Sequence, residues 1–394
     1  MAVVSPAPHT RLEAPASTPP IRWALLFLLL NLLAAIIYLR LARPSLLRFD
    51  LSQHAAAPAA PPCMDLPPVA AVAAHWATAL EWVRAPSSAE DGQLFPPERA
   101  VTVPLGDGMR AREGCGTAQE REAILSLRWR HPAPPPEGLP SYLTWDRSAT
   151  CAALGGRAVL LLGDSLGLQF FDTLVSALQP LDAEPADRAS PPAGLVCGGE
   201  GEAPSRVAFV SMDPPWEQRL RQALEDASDL EGGGQGVIFI LNRGTWYLPL
   251  QSHLKAVQGM LAFVRSLATK ATIFWRTASA GHPEVYGSES VQNAPPLLHP
   301  PPPAAYVQGL PARYHWAEIL AQNEPTVAAL PPDVLVVDVA PAAALRHDSH
   351  PSRTYAIDSE KRDGVHYCLP GPVDQWVELW AAVLRYAAAT QACA

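Results

Sequence analysis

The 394-residue chain predicts an α/β domain, a doubly wound five-stranded parallel sheet in a three-layer sandwich, behind an N-terminal transmembrane helix. Three observations lead there. Five short apolar or β-branched runs follow Arg157, and each is succeeded by a segment of helical character. Buried parallel strands read as short continuous apolar runs, and strict β-α alternation is the pattern of a parallel sheet. Far upstream, one long apolar stretch stands alone between two arginines.

Residues 1–21 read as a short polar, proline-containing cytosolic tail. Residues 22–41 hold the apolar stretch Trp23–Leu39, with Asn31 as its one polar residue and Arg22 and Arg40 at its ends. A bilayer span needs roughly 17–25 residues, whereas a cleaved signal peptide has an apolar core of about 7–15 followed by a small-residue site. No such site is evident, so the segment is expected to be a retained signal anchor. Residues 42–74 form an Ala/Pro-rich stem without the periodicity to pack. Residues 75–150 read as irregular, apart from a short helix at His75–Val83, and the sheet domain is expected over 151–394.

Within that domain the strand candidates are Ala158–Leu162, Val207–Val210, Val237–Leu241, Thr272–Trp275 and Val334–Asp338. The helix candidates are Leu166–Leu178, Pro214–Ala227, Gln251–Ala268, Arg313–Gln322 and Pro372–Ala388. The last starts with proline, suited to a first turn, and sets Val373, Trp376, Val377, Trp380, Val383 and Leu384 along one face. A Pro-rich stretch, Ala294–Ala305, is expected as a surface insertion. In such a sheet, ligands bind at the carboxyl ends of the strands.

Composition narrows the function. A net charge of -9 and only 29 Lys plus Arg give no basic face for phosphates, so no nucleic-acid partner is expected. Six cysteines (Cys63, Cys115, Cys151, Cys197, Cys368 and Cys393) all follow the anchor and show no CxxC spacing. That argues against zinc knuckles and suits disulfides in an oxidising compartment, with fifteen pairings open. No metal site is expected.

Two short strings carry the chemistry. Gly163-Asp164-Ser165 joins the first strand to its helix, where a serine hydroxyl faces the cleft beside positive helix-end potential. Asp363-Gly-Val-His366 puts a carboxylate three residues before an imidazole. Together they supply a nucleophile (Ser165), a base (His366) and an acid that orients it (Asp363), the minimum for acyl transfer through a covalent ester. His350, with Asp348 two residues before it, is the nearest competitor for the base. The Ser165 backbone N–H and the Asn242 side-chain amide are candidate oxyanion donors, with Gly163 and Asp164 in the same turn. Arg276, closing the fourth strand, suits either an anion or sugar hydroxyl, or a buried salt bridge.

These residues resemble the trichome-birefringence-like polysaccharide O-acetyltransferases, within the PC-esterase, SGNH-hydrolase-like superfamily. The resemblance runs from about Trp145 to the C-terminus. It rests on Leu162-Gly-Asp-Ser-Leu166, Asn242-Arg-Gly-Thr-Trp-Tyr247, Phe274-Trp-Arg-Thr-Ala-Ser-Ala-Gly-His282 and Leu345-Arg-His-Asp-Ser-His-Pro-Ser352, and above all on Asp363-Gly-Val-His-Tyr-Cys-Leu-Pro-Gly-Pro-Val-Asp-Gln-Trp376. The chain departs from the family where a cysteine-rich block would precede the serine, and where an Asn-Gln pair would follow it only Gln169 remains. The resemblance implies an SGNH-hydrolase or flavodoxin-like sandwich and the Ser165–His366–Asp363 triad. It also implies a single-pass type II Golgi membrane protein with a luminal catalytic domain. The expected activity is acetyl transfer to a glycan or polysaccharide hydroxyl through acyl-Ser165. No bound cofactor is implied; an acetyl donor such as acetyl-CoA is the co-substrate. A carbohydrate acetylesterase with the same triad is the close rival. A non-catalytic glycan-binding protein, stacking sugars on Trp246, Trp275 and Trp316, is the rival from another class.

Overall fold

The computed structural model describes residues 81–84, 127–130, 145–179, 193–199, 201–228, 236–244, 247–279, 281–283, 285, 297, 303–306, 312–350, 364–369 and 371–393. Two strands, β1 (Glu81–Arg84) and β2 (Leu127–Arg130), pair antiparallel with Trp82 opposite Trp129. The helix expected at His75–Val83 is thus corrected over its described end. The Trp-Val step there has strand propensity, realised by a partner that no local window contains.

The main sheet has six strands among the described residues, in the order β4-β5-β3-β6-β7-β8. They are β3 (Ala158–Gly163), β4 (Ala193–Val196), β5 (Ser205–Ser211), β6 (Val237–Leu241), β7 (Ala271–Arg276) and β8 (Val334–Val337). The five expected strands are all present and mutually parallel. The expectation of a five-stranded, wholly parallel sheet is nevertheless corrected, because β4 adds an antiparallel edge against β5. Its Ala-Gly-Leu-Val sequence is a weak strand signal. What holds it is the ladder to β5 and a disulfide from the next residue, Cys197, to Cys151.

Helices cover both faces, as alternation along the strands requires. Val159, Leu161, Val207, Phe209, Ile238, Ile240 and Phe274 point to one face. There they meet α1 (Arg147–Leu154), α2 (Ser165–Leu178) and the long α8 (Pro372–Cys393). The α8 residues Val373, Trp376, Val377, Trp380, Val383 and Leu384 are all buried, as the sequence spacing implies. Leu160, Leu162, Ala208, Val210, Phe239, Leu241, Ile273 and Trp275 face the other way. These meet α3 (Trp216–Ser228) and α4 (Leu250–Leu267). The helix expected over Arg313–Gln322 is present as the shorter α5 (Trp316–Ala321), and a second helix, α6 (Asn323–Ala329), follows it. Pro325 explains the break, since its ring would clash with the carbonyl four residues back in a continuous helix. A short α7 (Ala340–Ala343) follows β8.

No helix among the described residues is long and apolar enough to cross a membrane. The anchor expected at 22–41, with the tail and stem beside it, lies outside the described residues. The membrane-anchored, type II Golgi reading is accordingly corrected: what the structure offers is an α/β domain with no spanning helix among its described residues.

Candidate active site

The site is assembled at the carboxyl ends of β3, β6 and β7. Strand β3 ends at Gly163, whose carbonyl accepts from the Met212 N–H. Asp164 then caps α2: its Oδ1 accepts from the N–H groups of Leu166 (3.0 Å) and Gly167 (3.1 Å), and its carbonyl accepts from Leu168 N–H. A helix start leaves four N–H groups to satisfy, and the Asp164 side chain disposes of two. The N–H of Ser165, first in the turn, is engaged by no described residue.

Ser165 Oγ lies 2.7 Å from His366 Nε2, although the two residues are 201 apart in sequence. The segment bearing His366, Gly364–Leu369, has no regular structure and is fixed by remote groups. Gln169, one helical turn after Ser165, grips Tyr367 twice. Its Oε1 accepts from Tyr367 N–H (3.1 Å) and its Nε2 donates to Tyr367 C=O (2.7 Å). Cys368 N–H donates to Ser349 C=O and His282 N–H to Gly364 C=O, both at 2.7 Å. The Tyr367 hydroxyl meets Ser279 Oγ at 2.9 Å, and burial pushes its pKa far up, so it stays a neutral phenol. Cys368 is disulfide-bonded, as its place beside the histidine suggests. Gly281 is required here, because a Cβ would lie 2.5 Å from the Gly364 carbonyl and 2.6 Å from the Trp316 ring.

The sequence singled out other residues that the structure uses as supports. Asp164 and Arg276 form a fully buried ion pair, Oδ1 to guanidinium at 3.7 Å. The Arg276 guanidinium lies over the Trp376 ring at 5.2 Å. Burial depresses the Arg276 pKa and the Asp164 charge opposes this. Of the two readings of Arg276, the structure therefore has the buried salt bridge. Asn242 is likewise buried, and its Nδ2 donates to Arg276 C=O (3.0 Å), with Thr277 C=O at 3.5 Å. Its amide thus braces the ends of β6 and β7. Asp363 lies outside the described residues. His350 does not reach Ser165: its Nδ1 contacts the His366 carbonyl and its Nε2 contacts His282. Asp348 instead chelates Arg346, at 2.9 and 3.1 Å. Trp275 and Trp316 are buried at 2% and 4% exposure, so neither forms a sugar platform, and Trp246 lies outside the described residues.

The sequence assigns no role to Gln169 or His282, and it offers His350 only as a competing base. Gln169 carried one signal, its spacing of four from Ser165, which puts both on one helix face. Among the described residues, Cys151, Cys197 and Glu202 come close enough to suggest a metal site, but both sulfurs are spent in the disulfide.

Residues 247–383 match PC-esterase, described as a GDSL/SGNH-like acyl-esterase family found in Pmr5 and Cas1p. The matched stretch contains His282, His350 and His366 and starts after Ser165. The chain is also similar to Xyloglucan O-acetyltransferase 4 from Populus trichocarpa, with 46% identity over 52 residues. That match spans 13% of this chain and only 12% of the relative. With a serine and a histidine in hydrogen-bond contact at the strand ends of a six-stranded α/β sheet, the chain contains a PC-esterase, SGNH-like domain.

Proposed function

We propose that the protein is an O-acyltransferase that moves an acetyl group onto a glycan hydroxyl through an ester on Ser165. The observation that carries the proposal is the 2.7 Å contact between Ser165 Oγ and His366 Nε2. In the first half-reaction, Ser165 Oγ attacks the acetyl carbonyl while His366 Nε2 takes the hydroxyl proton. The developing oxyanion meets the Ser165 N–H at the positive end of α2. The tetrahedral adduct collapses, the C–O or C–S bond to the donor breaks, and the leaving group departs with the proton from His366. An acceptor hydroxyl then attacks acyl-Ser165, giving its proton to His366, which returns it to Ser165 Oγ. Asp363 is the residue assigned to orient His366 through its other ring nitrogen. The donor is an acetyl ester or thioester of the acetyl-CoA kind. A glycan acceptor is favoured by the similarity to the Populus xyloglucan O-acetyltransferase.

An esterase uses the same first half-reaction and delivers the acyl group to water. The test is to incubate the purified protein with an acetyl donor, with and without a panel of glycans. Acetylated glycan is expected. Free acetate alone, unchanged by any glycan, would leave hydrolysis as the activity. Neither product, together with no labelling of Ser165 by a fluorophosphonate, would overturn the acyl-enzyme reading. The Ser165→Ala and His366→Ala variants should each abolish labelling while remaining folded.

A further inference from the structure

A chain of three short hydrogen bonds runs behind the His366 backbone. His282 Nε2 lies 3.0 Å from Ala344 C=O, His282 Nδ1 lies 2.6 Å from His350 Nε2, and His350 Nδ1 lies 2.6 Å from His366 C=O. A carbonyl oxygen only accepts, so both outer nitrogens must carry hydrogens. Two neutral imidazoles would then face each other with bare lone pairs at 2.6 Å. The contact exists only if a third hydrogen lies between them. Turning either ring over offers no escape, because it would press a carbon into the same short contacts. Both residues are buried, at 0% and 1% exposure, and sit edge to face with centroids 4.8 Å apart.

We propose that His350 is a positioning residue. With His282 it forms a histidine pair that shares one added proton between the two rings, and it holds the His366 carbonyl so that the His366 ring reaches Ser165. This rests on the reading of Ser165 and His366 as the catalytic pair.

The surroundings limit the charge on the pair. Burial, then the neighbouring His350, and further the His347 and Arg346 charges hold the His282 pKa well below the ordinary imidazole range. The pair therefore takes up one proton, not two. The other groups facing it among the described residues are few. Arg346 is chelated by Asp348, His347 has its ring centroid 6.4 Å from that of His282, and the Tyr367 ring lies 4.6 Å from His350, with Tyr306 beyond.

Loss of the shared proton has a defined mechanical result. His350 must shift its remaining hydrogen to Nε2, turning a lone pair on the His366 carbonyl, or His282 must release Ala344. Either change loosens the segment that carries the base. Misplacement of about 1 Å in such a group lowers rates by about 10²-fold. The reaction rate should therefore fall as pH rises through the pair's ionisation, because the proton-bound form is the competent one.

The experiment uses the full chain labelled uniformly with 15N. A far-downfield proton coupled to nitrogens of both His282 and His350 is expected. The backbone amides of Val365–Tyr367 should titrate with the midpoint at which that proton disappears. His350→Asn can still donate to the His366 carbonyl but holds no charge, and His282→Gln can still donate to Ala344; both should lose the proton and the amide titration. Two neutral imidazoles throughout the pH range, or amides that ignore the titration, would overturn the proposal. In parallel, Ser165 labelling by a fluorophosphonate should slow about 10²-fold across the same midpoint, and His350→Asn should lose that limb of the profile. The same limb persisting in His350→Asn would also overturn the proposal. Absence of labelling in the unmodified protein at every pH would instead sink the acyl-enzyme reading, leaving the pair to be decided by its proton signal.

Discussion

Ser165 and His366 sit 2.7 Å apart but are held in place by different physics. The serine is placed locally: strand, capping aspartate and helix start occupy consecutive residues, with Arg276 beneath the cap as a long-range support. The histidine is placed from a distance, by Gln169 on α2, His282 after β7, Ser349 and His350 after α7, and a disulfide at Cys368. A residue placed locally fails by losing stability. A residue held by many remote contacts should fail by losing register first, with activity falling more than stability.

The largest expected effect tests the serine side. In Asp164→Ala the α2 cap disappears and the Arg276 guanidinium is left buried without its counter-charge. Breaking a buried pair in this way costs about 3–5 kcal/mol, to be read as a lower midpoint in urea unfolding. A loss below about 1 kcal/mol would show that the 3.7 Å pair contributes no more than a surface contact, and would remove the contrast.

Acid offers a control that belongs to neither side. His253, on α4, is buried and donates through Nε2 to Thr326 Oγ1, whose own hydrogen goes to Gln322 C=O. Burial and then the Arg243 charge lower its pKa from 6.5 to about 4. The folded state thus prefers the neutral ring, so this contribution is fully present above pH 6.5 and is lost as pH falls towards 4. The loss amounts to at most about 3 kcal/mol. Urea unfolding at pH 7 and pH 4 should show it, and His253→Gln should shrink the difference. An unchanged difference would place the acid sensitivity in other groups.

Gln169→Leu comes next and addresses the histidine side. It leaves the Tyr367 N–H and C=O buried without their partner, which costs about 2 kcal/mol. Ser165 labelling should fall about 10²-fold, more than stability alone would explain in a protein still folded at working temperature. Equal labelling rates would mean that the remaining braces suffice to fix His366.

The same division separates what the sequence discloses from what it hides. Strand runs and the apolar face of α8 are periodic, so their residues announce their burial within one window. Ser165 is legible because an apolar run, a capping residue and a helical segment adjoin. By contrast, β4 is legible only through its partner β5, and the α5–α6 break only by weighing Pro325 against an apolar pattern. The braces of His366 have no period at all. Gln169, His282 and His350 are polar residues whose partners lie far along the chain, and Asn242 offered an amide without showing that two carbonyls would consume it. Side-chain-to-backbone bonds across such separations leave no local pattern.

The smallest expected effect is the most discriminating for the histidine side. Tyr367→Phe removes only the hydroxyl that meets Ser279 Oγ, keeping the ring against Trp376 and both backbone bonds to Gln169. The phenol is neutral at every working pH, so no charge is lost with it. The hydroxyl's bond with Ser279 Oγ and its longer one, 3.5 Å, to Ala343 C=O together contribute about 1 kcal/mol, and the expected change is a small shift in urea midpoint with Ser165 labelling unaltered. Apart from the Cys368 disulfide, backbone groups of the 364–369 segment carry the position of His366. If Tyr367→Phe slowed labelling as much as Gln169→Leu, the Tyr367–Ser279 contact would be the anchor of the segment, and the contrast would have to be redrawn around a single buried side chain.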